Sequence, residues 1–341
     1  MLLNLAENAY LYDNSINTKI FVTRNLALFK ELMSDRYPFV YLIPLTEENT
    51  SSKHYRYDAI KNILKVAFSR NAFFLLKFYK GDSLKTIIFG WLLSRLPGSR
   101  FVSFGENYFC LKKLLCTDVL SFNPNKDYFQ NLLSETDRLG WPRIFERPSF
   151  RYTPNENTLI KHRLGNKDYV VMHITPTRKN RTLPVSRWAK ITEQILNIAP
   201  NADIILTGSS DDYSFIQELV SLCGNKQIRN YAGKFSITEL ISVIHYSNLY
   251  IGVDTGITHL ASMMGKKSLV IGHLATPASL PTYAPNSTIL FNKNACLCQN
   301  NNCAIYENGK QYMRCMLYIT DEVVDEALEK LLGKKSQNKL F

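Results

Sequence analysis

Four short stretches bring together residue types that can hold a phosphorylated ligand. In Gly252-Val253-Asp254-Thr255-Gly256-Ile257-Thr258-His259-Leu260-Ala261, two good helix-capping residues, Asp254 and Thr255, follow an apolar run, with Gly256 next in line. A helix starting there offers its first N–H groups and its dipole to an anion, and Gly256 leaves room for close approach. His259 lies one turn further on, near enough to face the same pocket. An ordinary capped helix with a hydrogen-bonded histidine is the plain alternative. The stretch His173 to Pro184 supplies the hydroxyls of Thr175, Thr177 and Thr182 together with Arg178, Lys179 and Arg181, cations able to donate charge-assisted hydrogen bonds to a diphosphate. Thr207-Gly208-Ser209-Ser210-Asp211-Asp212 sets two carboxylates before a helix, where they either stabilise its N-terminus or accept ribose hydroxyls. The fourth stretch, Gly272-His273-Leu274-Ala275-Thr276-Pro277, again follows a strand.

Four of the seven cysteines, Cys296, Cys298, Cys303 and Cys315, cluster near the C-terminus. Thiolates favour zinc, but two regular Cys-x-x-Cys knuckles are missing, so free thiols or a local crosslink stand ahead of a metal site. An odd cysteine count also argues against a purely disulfide scaffold.

The elements that must position these stretches follow an α/β rhythm. Asp168–His173, Ala202–Thr207, Ile228–Ala232, Leu249–Val253 and Ser268–Ile271 read as strands. Between them, Ser186–Ile198 shows helical apolar spacing through Trp188, Ile191, Ile195 and Ile198; helices are also expected over about Asp212–Leu222, from Ser236, and over Ile257–Met264 up to Gly265. Strands alternating with helices imply a parallel sheet covered on both faces, a Rossmann-like domain. In such a sheet ligands bind outside the carboxyl ends of the strands, where all four stretches fall. The first half repeats the rhythm more weakly, with strands expected at Thr18–Thr23, Phe39–Ile43, Phe73–Phe78 and Phe101–Phe104, and helices near 26–33, 57–69, 84–96 and 128–138.

The length of 341 residues suits two domains. We expect a first Rossmann-like domain over 1–150, a proline-containing linker over 151–167, a second domain over 168–333 and a short tail over 334–341. With 45% hydrophobic and 21% charged residues the chain reads as globular. No apolar run approaches the ~20 residues of a membrane span, and the N-terminus lacks the basic start of a signal peptide, so a cytoplasmic location is expected. The net charge of +12, split equally between residues 1–150 and the remainder, favours anionic partners. It forms no basic arm and accompanies no nucleic-acid motif.

From Asn230-Tyr231-Ala232-Gly233-Lys234, through Asp254-Thr255-Gly256 and His259-Leu260-Ala261, to Gly272 and Thr276-Pro277, the chain resembles glycosyltransferase family 9, the lipopolysaccharide heptosyltransferases. Arg181 three residues before Pro184, Trp188, and the Thr207-Gly208 strand end agree in order and spacing. The resemblance covers residues 168–333 well and the first half faintly.

It implies a GT-B fold, two Rossmann-like domains facing a cleft, and inverting transfer of heptose or a related sugar from a nucleotide-diphosphate donor, ADP-heptose above others, to the lipopolysaccharide core. The second domain would hold the donor and the first the lipid A core acceptor, with peripheral contact to an anionic inner-membrane surface, no nucleic acid and no further cofactor. Carried over by position, Asp254, Thr255 and Gly256 would bind diphosphate and sugar with His259 close by. Arg181 stands where the family has a phosphate-neutralising lysine, Asp212 or its neighbour Asp211 near a ribose-binding acid, and Thr175 and Thr276 as phosphate or sugar contacts. The family opens with a strand and a Gly-Asp loop whose Asp is the general base. Here the chain reads as starting after that loop, and Asp82 of Gly81-Asp82 is the weak substitute in the first half. A nucleotide-sugar binder without a base and a GT-B-like sugar-nucleotide epimerase are the competing readings.

Overall fold

The computed structural model describes residues 167–273, 280–291, 304–307 and 309–333, together with 147–150 and 163–165, and in the first 146 residues the strands given below with scattered positions between them. The chain divides into two compact units, residues 1–124 with 130–144, and residues 125–129 with 145–341.

In the first unit β1 (Thr18–Val22) pairs in parallel with β2 (Val40–Pro44). The short strands β3 (Phe73–Leu75), β4 (Arg100–Phe104) and β5 (Asp118–Leu120) form a second parallel sheet in that order. Four of these lie in the runs expected from sequence. β5 does not announce itself, because three residues are too few to display an alternation.

The second unit is built on β6 (Tyr169–His173), β7 (Asp203–Leu206), β8 (Ile228–Asn230), β9 (Leu249–Val253), β10 (Ser268–Ile271) and β11 (Ser287–Leu290). They form one parallel sheet in the order β11-β10-β9-β6-β7-β8. The chain runs outward from β6 to β8, crosses back to β9 on the other side of β6, and runs outward again. Loops after β6 and β9 therefore diverge, opening the crevice where α/β sheets bind ligands. β11 lies at the edge with all four residues only half-buried, so its sequence lacks the apolar run that marks the others.

Alternating side chains feed two cores, as the pleat requires. Val170 and Met172 face one layer with α1 (Val185–Ile198), α2 (Tyr213–Cys223) and α6 (Asp321–Leu332); Tyr169 and Val171 face the other with α3 (Ile237–Tyr246) and α4 (Gly256–Met263). In α1 the buried residues Val185, Trp188, Ile191 and Ile195 recur at the helical interval, and Trp188 is fully buried. The hairpin β12 (Ala304–Glu307) and β13 (Lys310–Met313) leads through the short α5 (Arg314–Leu317) into α6.

Helix starts use the expected chemistry. Ser236 accepts from the Glu239 N–H at 3.2 Å while its own N–H donates to Glu239 Oε2 at 2.8 Å, closing a capping box on α3. Gly265, with φ +73°, occupies the left-handed conformation that ends the turn after α4. Among the described residues no helix is long and apolar enough to cross a membrane.

Candidate functional site

The loop between β9 and α4 is held by its own hydroxyls. Thr255 caps α4, its Oγ1 accepting from the Thr258 N–H at 3.2 Å. Thr258, fully buried, donates from Oγ1 to the Val253 carbonyl at 2.5 Å and lies 2.9 Å from the Tyr250 hydroxyl. A Cβ on Gly252 would stand 2.6 Å from that hydroxyl and 2.8 Å from Thr258 Oγ1, so only glycine lets α4 pack this closely against β9. At Gly256, by contrast, a Cβ would meet nothing within 4 Å. Gly256 is exposed, and as the first residues of α4 Gly256 and Ile257 have N–H groups with no intrahelical acceptor.

Asp254 stands at the centre of a cluster of one arginine and two histidines. Arg181 Nη1 lies 3.9 Å from Oδ2, His273 Nδ1 3.5 Å from Oδ2, and His259 Nε2 3.8 Å from Oδ1. Among the described residues none of these approaches is a hydrogen bond, so the carboxylate keeps its acceptor sites for a ligand. His259 is oriented from behind, its Nδ1 3.0 Å from the Tyr283 hydroxyl. Burial, reinforced by the Asp127 carboxylate, pushes the Tyr283 phenol well up, so it stays protonated and able to donate to Nδ1.

Arg181 is placed by the loop after β6. Thr182 Oγ1 donates to the Ile174 carbonyl at 2.6 Å and accepts from Trp188 Nε1 at 2.9 Å, tying the loop to the first turn of α1. The Met313 N–H donates to the Asn180 carbonyl at 2.9 Å, and the Arg181 N–H to the Arg178 carbonyl, also at 2.9 Å. The C-terminal hairpin therefore braces the cationic loop, a role with no signature in the sequence.

On the other side of β6, Asp212 is enclosed. Its Oδ2 accepts from the Ser209 N–H at 2.8 Å and the Ser209 hydroxyl at 2.6 Å, and its Oδ1 pairs with Lys179. Burial alone would raise its pKa, but Lys179 and Ser209 together hold it below the ordinary value. The adjacent Asp211 is exposed. It lines an open pocket of about 530 Å³ with Thr175, Lys179, Phe215, Lys310 and Tyr312. Thr175 Oγ1 is buried there without a hydrogen-bond partner. His173 ends β6 with Nδ1 3.0 Å from Thr207 Oγ1; full burial lowers its pKa to about 4 although the Asp212 carboxylate pulls the other way.

Arg181, Asp254, Thr255, Gly256 and His259 thus come together beside α4, whereas Thr175 and Asp212 sit one to two strands away. Thr276 and Asp82 lie outside the described residues, as do Cys296, Cys298 and Cys303. Cys315 is buried, and among the described residues no three His, Cys, Asp or Glu side chains gather as a metal site. Sequence reasoning did not single out His273, Tyr283 or Ser209. For His273 the signal was its place directly after a strand, in a loop already marked as part of the ligand edge; Tyr283 had none.

The family model described as glycosyltransferase family 9 (heptosyltransferase) matches residues 129–308. A curated relative, lipopolysaccharide heptosyltransferase 1 of Campylobacter coli, is 31% identical over 123 residues, which is 36% of this chain and 36% of that protein. The chain thus spans about a third of the length of the curated relative it matches. Among solved structures, a glycosyltransferase family 9 protein from Veillonella parvula superposes with TM-score 0.70 at 15% identity, covering 97% of this chain and 92% of the other. The E. coli ADP-heptose lps heptosyltransferase II gives TM-score 0.68, also at 15% identity, over 97% and 93%. At such identities the likeness is one of fold, and it assigns the chain the GT-B α/β fold.

Proposed function

The chain belongs to glycosyltransferase family 9, and from that premise we propose that it transfers heptose, with inversion, from ADP-heptose to a lipopolysaccharide core acceptor. The observation that carries this reading is the pairing of a hydrogen-bond-free carboxylate, Asp254, with Arg181 and the exposed N-terminus of α4 at the switch point of the sheet. A diphosphate needs donors and positive charge, which Arg181 and the α4 N–H groups supply. Sugar hydroxyls need acceptors, which Asp254 supplies. Thr175 and Asp211, in the pocket after β6 and β7, are the contacts for the nucleoside side; of the acidic pair, Asp211 has free oxygens where Asp212 does not.

In the proposed reaction an acceptor hydroxyl oxygen attacks the anomeric carbon from the face opposite the diphosphate. The carbon–oxygen bond to the diphosphate breaks, both electrons leave with the phosphate oxygen, and the hydroxyl proton passes to a base. Arg181 and the start of α4 stabilise the charge that develops on the departing diphosphate. Asp82 remains the base suggested by sequence. Contact with a phosphorylated glycolipid on the cytoplasmic face of the inner membrane suits the +12 net charge.

The test is incubation of the purified chain with ADP-heptose and a heptose-deficient lipid A core acceptor, following ADP release and acceptor mass. Gain of one heptosyl unit, with inverted anomeric configuration by NMR, is expected. Donor binding without turnover would instead identify a nucleotide-sugar binder, and conversion of the donor without acceptor an epimerase.

A further inference from the structure

His273 follows the last residue pair of β10 and lies on the Asp254 cluster, yet neither the diphosphate contacts nor the fold makes use of it. It is 2% exposed, and neither Nδ1 nor Nε2 has a hydrogen-bond partner among the described residues. Its closest polar approach, Nδ1 to Asp254 Oδ2 at 3.5 Å, is not a hydrogen bond. Buried polar side chains in folded proteins are nearly always paired, and one that is not calls for an explanation, of which a bonded ligand group is one. β10 is the neighbour of β9, with Ile271 opposite Val253, so the residues following each strand share one stretch of the ligand edge.

We propose that His273 hydrogen-bonds a hydroxyl of the donor's sugar, beside the same Asp254 carboxylate, and so selects the sugar nucleotide over the bare nucleotide; this rests on the donor-site reading above. The chemistry of the pair excludes the phosphates as its target. A phosphate oxygen only accepts, and it would be brought against the Asp254 carboxylate. A hydroxyl both donates and accepts, which matches an imidazole with one N–H and one lone pair and a carboxylate that only accepts. The imidazole stays in that form because burial, then Arg181, lowers its pKa to about 4; Asp254 opposes the shift and Arg178 adds to it. His259 faces the other carboxylate oxygen, and Oδ2 lies between His273 and Arg181. Contacts that read hydroxyls in this way discriminate strongly, since an analogue lacking the group leaves buried partners unpaired.

The experiment is calorimetric titration of the full chain and its His273→Phe and His273→Gln variants with ADP and with ADP-heptose, after thermal melts confirm that each variant is folded. His273→Phe should weaken ADP-heptose at least tenfold while changing ADP less than twofold, and His273→Gln, which can still donate and accept, should recover part of the loss. Equal losses for both ligands, or none, would overturn the proposal while leaving the donor site standing. Wild-type protein that binds neither ligand would remove the donor reading and this inference with it. Between pH 8 and 5.5 the His273-dependent preference should be flat. Tightening of ADP as pH falls, abolished in His273→Gln, would show a cationic histidine on phosphate and would also overturn the proposal.

Discussion

Asp212 and Asp254 both follow a strand of the same parallel sheet and both precede a helix, but their surroundings treat them in opposite ways. Asp212 has each oxygen occupied, by Ser209 and by Lys179, and is buried. Asp254 has Arg181, His259 and His273 at 3.5 to 3.9 Å and no hydrogen bond among the described residues. The first carboxylate is satisfied by the protein and closes a helix start. The second is held in place by electrostatics while its acceptor sites remain available, which is the state a ligand-binding carboxylate requires. Position on the ligand edge therefore does not identify a binding residue; hydrogen-bond saturation does.

The comparison breaks if Asp254 proves structural. Asp254→Asn should cut the transfer rate about 10²- to 10³-fold, the usual loss for one preorganised electrostatic group, with little change in melting temperature. A large drop in melting temperature with retained turnover would refute the contrast.

A second test probes the enclosed side through pH. His173 takes up a proton near pH 6.5 when unfolded but only near pH 4 when folded, so its contribution to stability is complete above pH 6.5 and is lost as pH falls toward 4. The loss is roughly 3 kcal/mol. Urea unfolding across this range should be steeper for wild type than for His173→Asn, whose amide can still bond Thr207.

Arg181→Ala should weaken ADP binding about 10- to 100-fold, in line with losing charge-assisted hydrogen bonds, and Arg181→Lys should restore charge but only part of the affinity. Calorimetry with ADP measures both.

The smallest effect sharpens the contrast from the other end. Asp212→Asn should cost about 1–2 kcal/mol of stability, the scale of a lost helix-start interaction, and leave ADP affinity nearly unchanged. Because the folded pKa of Asp212 lies below its unfolded value, its contribution is present above about pH 3.8 and fades as pH falls below that. The difference between wild type and Asp212→Asn should therefore shrink in acid.

How much of this was readable from the residues depends on the length over which a signal extends. The four central strands β6, β7, β9 and β10 were legible because burial on both faces makes them largely apolar. β5 and the edge strand β11 were not, being respectively too short and too polar. Thr255 was legible as a cap, since capping is a local contact between residues three apart. The choice between Asp211 and Asp212 was open, because adjacent carboxylates differ only in which one the fold turns inward.

The chain itself determined the α/β class, the ligand edge of the sheet and the residue types on it, for these follow from local periodicity and from loops that succeed strands. Only the tertiary structure decided which of those residues meet. Arg181 and His273 come from two different loops and His259 from α4, and they gather on Asp254 because β10, β9 and β6 are neighbours in the sheet while separated along the chain. Burial of His273 and the bracing of Arg181's loop by the distant β13 likewise depend on contacts between remote segments, which no window of sequence contains.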